Sequence, residues 1–216
     1  MATRKRSQTP GARPNTADNV QRTIYSAIST GEVVSAGVFD VVKKTLVGTL
    51  AGARDVGADA ATTAVSAVRG AIRAAEVIGA DLGVVAKNAI RGTIEAAEQI
   101  GGELGGVARS ATRGAVKATG EVGGDVALVA RRAVEGTADA ARTLGADVAT
   151  IARSAAQGAV EAADRIGGTA SRSVRSTLGG TVAGVRTLVK PNGAGARRPP
   201  TRTARKRRPG GKRRSA

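Results

Sequence analysis

Four consecutive stretches of this chain lie beneath one another without a gap: "AVRGAIRAAEVIGADLGVVAKN" from Ala67, "AIRGTIEAAEQIGGELGGVARS" from Ala89, "ATRGAVKATGEVGGDVALVARR" from Ala111 and "AVEGTADAARTLGADVATIARS" from Ala133. They are copies of a 22-residue unit, and weaker copies keep the register from Thr23, Thr45 and Ala155, with a truncated one from Thr177. Such a unit makes six helical turns at about 3.67 residues per turn, so an unbroken helix returns every copy to the same face. The period therefore predicts an all-α chain: a long Gly/Ala-rich amphipathic helix, or helical hairpins, built from 22-residue repeats with disordered basic termini. A solenoid of short helices could share the unit length, but variable loops would then be free to spoil the exact helical multiple. Any break is expected at segments such as "IGGELGG" (residues 100–106), because glycine pairs stop helices.

Within the unit, large apolar residues occupy positions 2, 6, 12, 16 and 19, as Ile90, Ile94, Ile100, Leu104 and Val107 do. Small residues fill positions between them, and charges gather at positions 3, 7, 10, 15 and 21. At about 98° per residue this makes one side of the helix mildly apolar. Glycine inside a helix costs roughly 1 kcal/mol relative to alanine, so its abundance needs a return. The two 11-residue halves of the unit suggest one, since each large residue of one half matches a small residue of the other. Neighbouring helices offset by one half-unit could set bulges against hollows. The candidate helix-packing residues are Gly70, Gly79, Gly83, Gly92, Gly101, Gly105, Gly114, Gly123, Gly136, Gly145, Gly158 and Gly167. Small-xxx-small pairs such as Gly79/Gly83 and Gly101/Gly105 point the same way, although acids such as Asp81 and Glu103 among them argue against a membrane-spanning dimer. Acids at position 10 (Glu76, Glu98, Asp164) and bases at position 21 (Lys87, Arg109, Arg131, Arg153, Arg175) permit exposed charge pairing, each pair contributing under about 1 kcal/mol.

Composition excludes much of enzymology. The chain has no His and no Cys, which removes His-based triads, Cys-His dyads and zinc sites of the usual kinds. One Phe, one Tyr and no Trp leave any core to Val, Ile, Leu and Ala. The acids Asp81, Glu103, Asp125 and Asp147 recur once per unit on a polar face and read as solvated charge. No phosphate-cradling glycine loop precedes a Lys-Ser/Thr pair. No catalytic residue, metal ligand, cofactor or small-molecule substrate is expected, and the chain reads as a non-enzyme.

Charge divides the chain into three. The net charge of +17 splits as +4 over residues 1–22, +3 over 23–190 and +10 over 191–216, and all six prolines lie at 10–14 or 191–209. The expected organisation is a basic N-terminal arm (1–22), a repeat region (23–190) and a polybasic tail (191–216). The tail carries Arg197, Arg198, Arg202, Arg205, Lys206, Arg207, Arg208, Lys212, Arg213 and Arg214 without aromatic interleaving, and Arg4, Lys5 and Arg6 offer a second contact. Such a run binds phosphate backbones without reading bases. The expected partner is nucleic acid or another polyanion, engaged by a homo-oligomeric scaffold whose several tails act together. With no signal peptide or apolar membrane segment in the sequence, the expected setting is the cytoplasm, beside the nucleoid of a bacterium with a GC-rich genome.

The 11/22-residue amphipathic periodicity, over about three-quarters of the chain, resembles that of exchangeable apolipoproteins, perilipins, synucleins and late-embryogenesis proteins. The resemblance is one of period, and it implies a coat on a lipid or other hydrophobic surface, or protection during drying. An amphipathic helical region followed by a basic tail is also similar to polyester-granule phasins with a histone-like tail, implying an inclusion coat tethered to DNA. The apolar face here is poorer in Leu and aromatic residues than such coats use.

Overall fold

The computed structural model describes residues 16–29, 37–50 and 56–181. They form eight α-helices: α1 (Thr16–Ser29), α2 (Gly37–Leu50), α3 (Val56–Val77), α4 (Leu82–Gln99), α5 (Leu104–Glu121), α6 (Val126–Thr143), α7 (Val148–Ile166) and α8 (Gly168–Thr181). No strand occurs among the described residues. Each 22-residue unit supplies one helix and one turn, the fold of a helical-repeat protein.

The turn occupies unit positions 12–15. In "IGGE" (Ile100–Glu103) the helix ends at Ile100, and Gly101 takes φ +72°. Gly101 N–H then donates to the Glu98 carbonyl at 3.0 Å and Gly102 N–H to the Ala97 carbonyl at 2.7 Å, the paired bonds that close a helix C-terminus through a left-handed residue. The next helix starts at once, because the Glu103 carboxylate accepts from the N–H groups of Gly105 and Gly106. Asp81, Asp125 and Asp147 cap α4, α6 and α7 in the same way, each accepting two backbone N–H groups. A stop followed directly by a start leaves no room for loop variation, which is why the repeat keeps its length without a continuous helix. The α7–α8 junction departs from this: Thr169 stands where the capping acid would be, and Gly167 alone separates the two helices.

The helices stack in two layers. Packing is most extensive between helices two places apart, α1 with α3, α2 with α4, and so on to α5 with α7, while successive helices meet across the layers. One layer is α1, α3, α5 and α7; the other is α2, α4, α6 and α8. The core between them is Ala, Val and Ile, with Ile24, Ile28, Leu46, Ile72, Ile90, Ile94 and Leu178 among its largest fully buried side chains. Buried Thr93, Thr119 and Thr137 satisfy their hydroxyls by donating to the carbonyl one helical turn earlier.

Alanine at the contacts lets helices approach closely, and glycine at unit position 4 takes this further. A Cβ on Gly70 would lie 2.7 Å from the Gln21 carbonyl oxygen, and one on Gly92 2.6 Å from that of Phe39. Gly136 faces the Lys87 carbonyl and Gly158 that of Arg109 still more tightly. At these points the backbones of same-layer neighbours touch.

The structure thus takes the broken form of the two expected helical arrangements, and its stacked short helices are the solenoid that the exact period was read against, the turn's fixed length keeping the period. The offset by one half-unit is not used, because positions 12–15 form the turn and half-units do not lie side by side as continuous helices. The small-xxx-small pairs Gly79/Gly83 and Gly101/Gly105 straddle turns, one member ending a helix and the other opening the next. The expected boundary at residues 22/23 falls inside α1: Ala17 and Val20 are buried, and Val20 occupies the unit position held by buried Val42, Ala64 and Ala86.

Candidate polyanion interface

The residues expected to bind nucleic acid, Arg4, Lys5, Arg6 and the ten cations from Arg197 to Arg214, lie outside the described residues. What the structure provides is the body to which those segments attach, at Thr16 of α1 and Thr181 of α8. These helices stand at opposite ends of the stack. Three same-layer steps of about 8–10 Å separate the first and last helices of a layer, roughly 25–30 Å in all.

The charges of the body are largely spent on one another. Twelve Lys and Arg side chains lie within 4.0 Å of a carboxylate. Four of these pairs share a separation of 52 residues and join same-layer neighbours, Arg69–Glu121 among them; the other three, Lys43–Glu95 at 3.1 Å, Lys87–Asp139 at 2.8 Å, and Arg109–Glu161, repeat one pattern. In each, a base at unit position 21 meets an acid at position 7 two helices on, one turn beyond the close glycine contact. Sequence spacing showed the base but not its partner. The same-unit pairing of positions 10 and 21 forms once among the described residues, between Asp164 and Arg175 at 2.7 Å. Glu95, with its side chain 8% exposed, also receives Arg91 at 3.1 Å, and both its cations lie over the Phe39 ring.

Three carboxylates titrate below their ordinary values. Partial burial pushes Glu121 upward, but hydrogen bonds from Arg73 and Arg69 and their charges outweigh it. The Ser171 hydroxyl and then the Arg175 guanidinium hold Asp164 low. The Thr150 hydroxyl, donating at 2.6 Å, lowers Asp147, helped by the backbone N–H groups it caps.

The ladder pair is absent at α1–α3, where Gln21 and Arg73 hold its positions, and at α3–α5. At the latter, Val65 stands at the position-21 site and Lys117 at the position-7 site, so the usual pair is missing. Glu121, one turn further along α5, instead takes Arg69 at 3.2 Å and Arg73 at 3.0 Å. The backbone approach is also looser here, with a Cβ on Gly114 lying 3.2 Å from the Val65 Cα. A groove of about 590 Å³ opens at this place, running from α3 across α5 to the end of α7. Of the candidate residues drawn from sequence, Gly114 alone lines it.

The candidate packing glycines separate by position. Gly70, Gly92, Gly114, Gly136 and Gly158 lie at helix–helix contacts. Gly79, Gly101, Gly123, Gly145 and Gly167 sit in the turns with positive φ, and a Cβ on any of them would meet nothing within 4 Å, so their service is conformational. Gly83 and Gly105 belong to first helical turns, donating to the capping acid and lying beside Arg132 and Ser154 respectively. Among the described residues no cluster of three metal-ligating side chains occurs, and no helix is long and apolar enough to cross a membrane.

No family model and no curated protein matches the chain. Among solved structures, it is similar to the de novo designed helical repeat protein DHR7, at 24% identity over 79% of this chain and 95% of that one, with a TM-score of 0.45.

Proposed function

We propose that this chain is a non-enzymatic scaffold, a helical-repeat body that carries basic segments at its two ends and binds nucleic-acid phosphates through them without reading sequence. The observation that carries this reading is the contrast in charge. The body ties its cations into ion pairs, while residues 1–22 and 191–216 hold +4 and +10 of the net +17. Residues 191–216 contain no acid to offset their ten cations, and a run of that kind displaces counterions from a phosphate backbone. Attachment at opposite ends of a stack tens of ångströms long suits the two segments to engaging separate sites on one polyanion or bridging two. Self-association would multiply the tails, but bridging does not require it.

The alternative of a lipid-droplet or granule coat draws less support, because the apolar faces of these helices are turned inward. The large apolar side chains left exposed among the described residues are four, Tyr25, Val77, Ile78 and Ile166. A coat would require the stack to open.

Removal of residues 191–216 tests the reading. Helix content by circular dichroism is expected to be unchanged, and affinity for duplex DNA in a salt titration to fall steeply. The full chain is expected to show a log–log salt slope of about −5 to −9, and the truncated chain one shallower than about −4. Equal affinity of the two chains at physiological salt would refute the proposal.

A further inference from the structure

We propose that the groove across α3, α5 and α7 is a binding site for an amphiphilic organic anion, a phosphate or carboxylate head joined to a short aliphatic chain. The inference does not depend on the nucleic-acid reading. Four cations line the groove, Arg69, Arg113, Lys117 and Arg165, against the single lining carboxylate of Glu121, with Glu161 lying 3.9 Å from Arg113. Glu121 is already engaged by Arg69 and Arg73, and Lys117 reaches it only at 4.0 Å. Arg69 Nε is buried and has no hydrogen-bond partner among the described residues.

The rest of the wall is apolar. Val65 and Ala162 line it together with Ile166, a large apolar side chain left 41% exposed. A cationic cluster bordering aliphatic surface suits a ligand with one charged end and one hydrocarbon end, and a cavity of about 590 Å³ is within the usual range for small ligands. No Phe, Tyr or Trp lines it, so base stacking is not offered. The terminal segments of this chain are poor occupants because they carry the same charge as the groove.

The origin of the groove supplies the test. Lys43–Glu95, Lys87–Asp139 and Arg109–Glu161 show what the junction becomes when positions 21 and 7 hold a base and an acid. The double substitution Val65→Lys with Lys117→Glu rebuilds that pair at α3–α5, adding a carboxylate to the groove, tying the relocated lysine to it and covering the apolar wall while following the pattern of neighbouring units. In full-length protein, octyl phosphate is expected to shift the Ile166 δ1-methyl NMR signal saturably, with inorganic phosphate and octanol each binding at least about tenfold more weakly. The double variant, its circular dichroism and melting unchanged, is expected to lose at least about tenfold in affinity, the scale set by one charge-assisted hydrogen bond. The same polybasic tail is present in both proteins, so the difference between them reports the groove. If the double variant does not fold, Lys117→Gln is expected to weaken binding severalfold. The proposal is overturned if the shift does not saturate, if a folded variant binds as well as the parent, if inorganic phosphate or octanol alone binds as tightly, or if a DNA duplex binds the groove in preference to octyl phosphate.

Discussion

Gly136, in the middle of α6, and Gly123, in the turn before it, are the same residue used for opposite properties. The first is enclosed: a Cβ there would run into the carbonyl of Lys87 on α4. The second faces open space and holds φ +73°, where an L side chain strains its own backbone. One glycine is needed for what it lacks in volume, the other for the conformation that this lack permits. The helix-propensity penalty at Gly136 is offset by backbone contact between neighbours. Gly123 incurs no such penalty, because it lies where the helix ends. The fold needs both, since close layers without sharp turns would leave a long helix, and sharp turns without close layers would leave helices with nothing to pack on.

The contrast breaks most readily at Gly136. Gly136→Val places side-chain atoms against backbone, which cannot move aside as a flexible side chain can. The expected loss is about 3 kcal/mol or more, with a melting temperature lower by roughly 10 °C. Gly123→Ala meets no neighbour and is expected to cost only about 1 kcal/mol, the penalty of the left-handed backbone. Gly123→Asn should recover part of that, because asparagine tolerates this conformation, whereas Gly136→Asn should recover nothing. Urea midpoints for the four variants check the ordering. A recovery by asparagine at both positions would mean that the two glycines do not differ as described.

The sequence carried much of this, unevenly. The 22-residue period, the all-helical class and "IGGELGG" as the place of a break were all readable, because helix geometry and glycine chemistry act within one turn. The acids Asp81, Glu103, Asp125 and Asp147 were visible too, but read as solvated charge. Their position directly after a glycine stop and before an apolar run is the signature of a helix N-cap, a local signal that could have been found. Asp125→Ala, which removes the acceptor for Ala127 N–H and Leu128 N–H, is expected to cost about 1 kcal/mol in the same urea assay, below the effect at Gly136. Two features were not readable. The partners of Lys43, Lys87 and Arg109 lie more than two repeat units further along the chain, a separation fixed by stacking rather than by helix period. The groove lies where Val65 and Lys117 interrupt a ladder that becomes visible only once the layers are known.

The smallest effect separates the caps and ladder from the glycine geometry by pH. Neither glycine contact titrates, so the difference between Gly136→Val and the parent should be flat across mildly acidic pH. The carboxylates behave otherwise. Glu121, Asp164 and Asp147 have folded-state values below their ordinary ones of 4.5 for Glu and 3.8 for Asp. Below those ordinary values the unfolded chain binds protons that the folded chain resists, so stability falls as pH drops. Their contribution is therefore intact above pH 4.5 and is lost progressively below 3.8, as pH falls through the lowered values. Because all three groups are largely exposed, solvent screening keeps the combined effect modest. Melting curves at pH 6, 4 and 3 are expected to show a decline confined to the lower pair. Replacing Thr150 with Val removes the hydroxyl that chiefly lowers Asp147 and should shrink that decline without altering the ranking of the glycine variants.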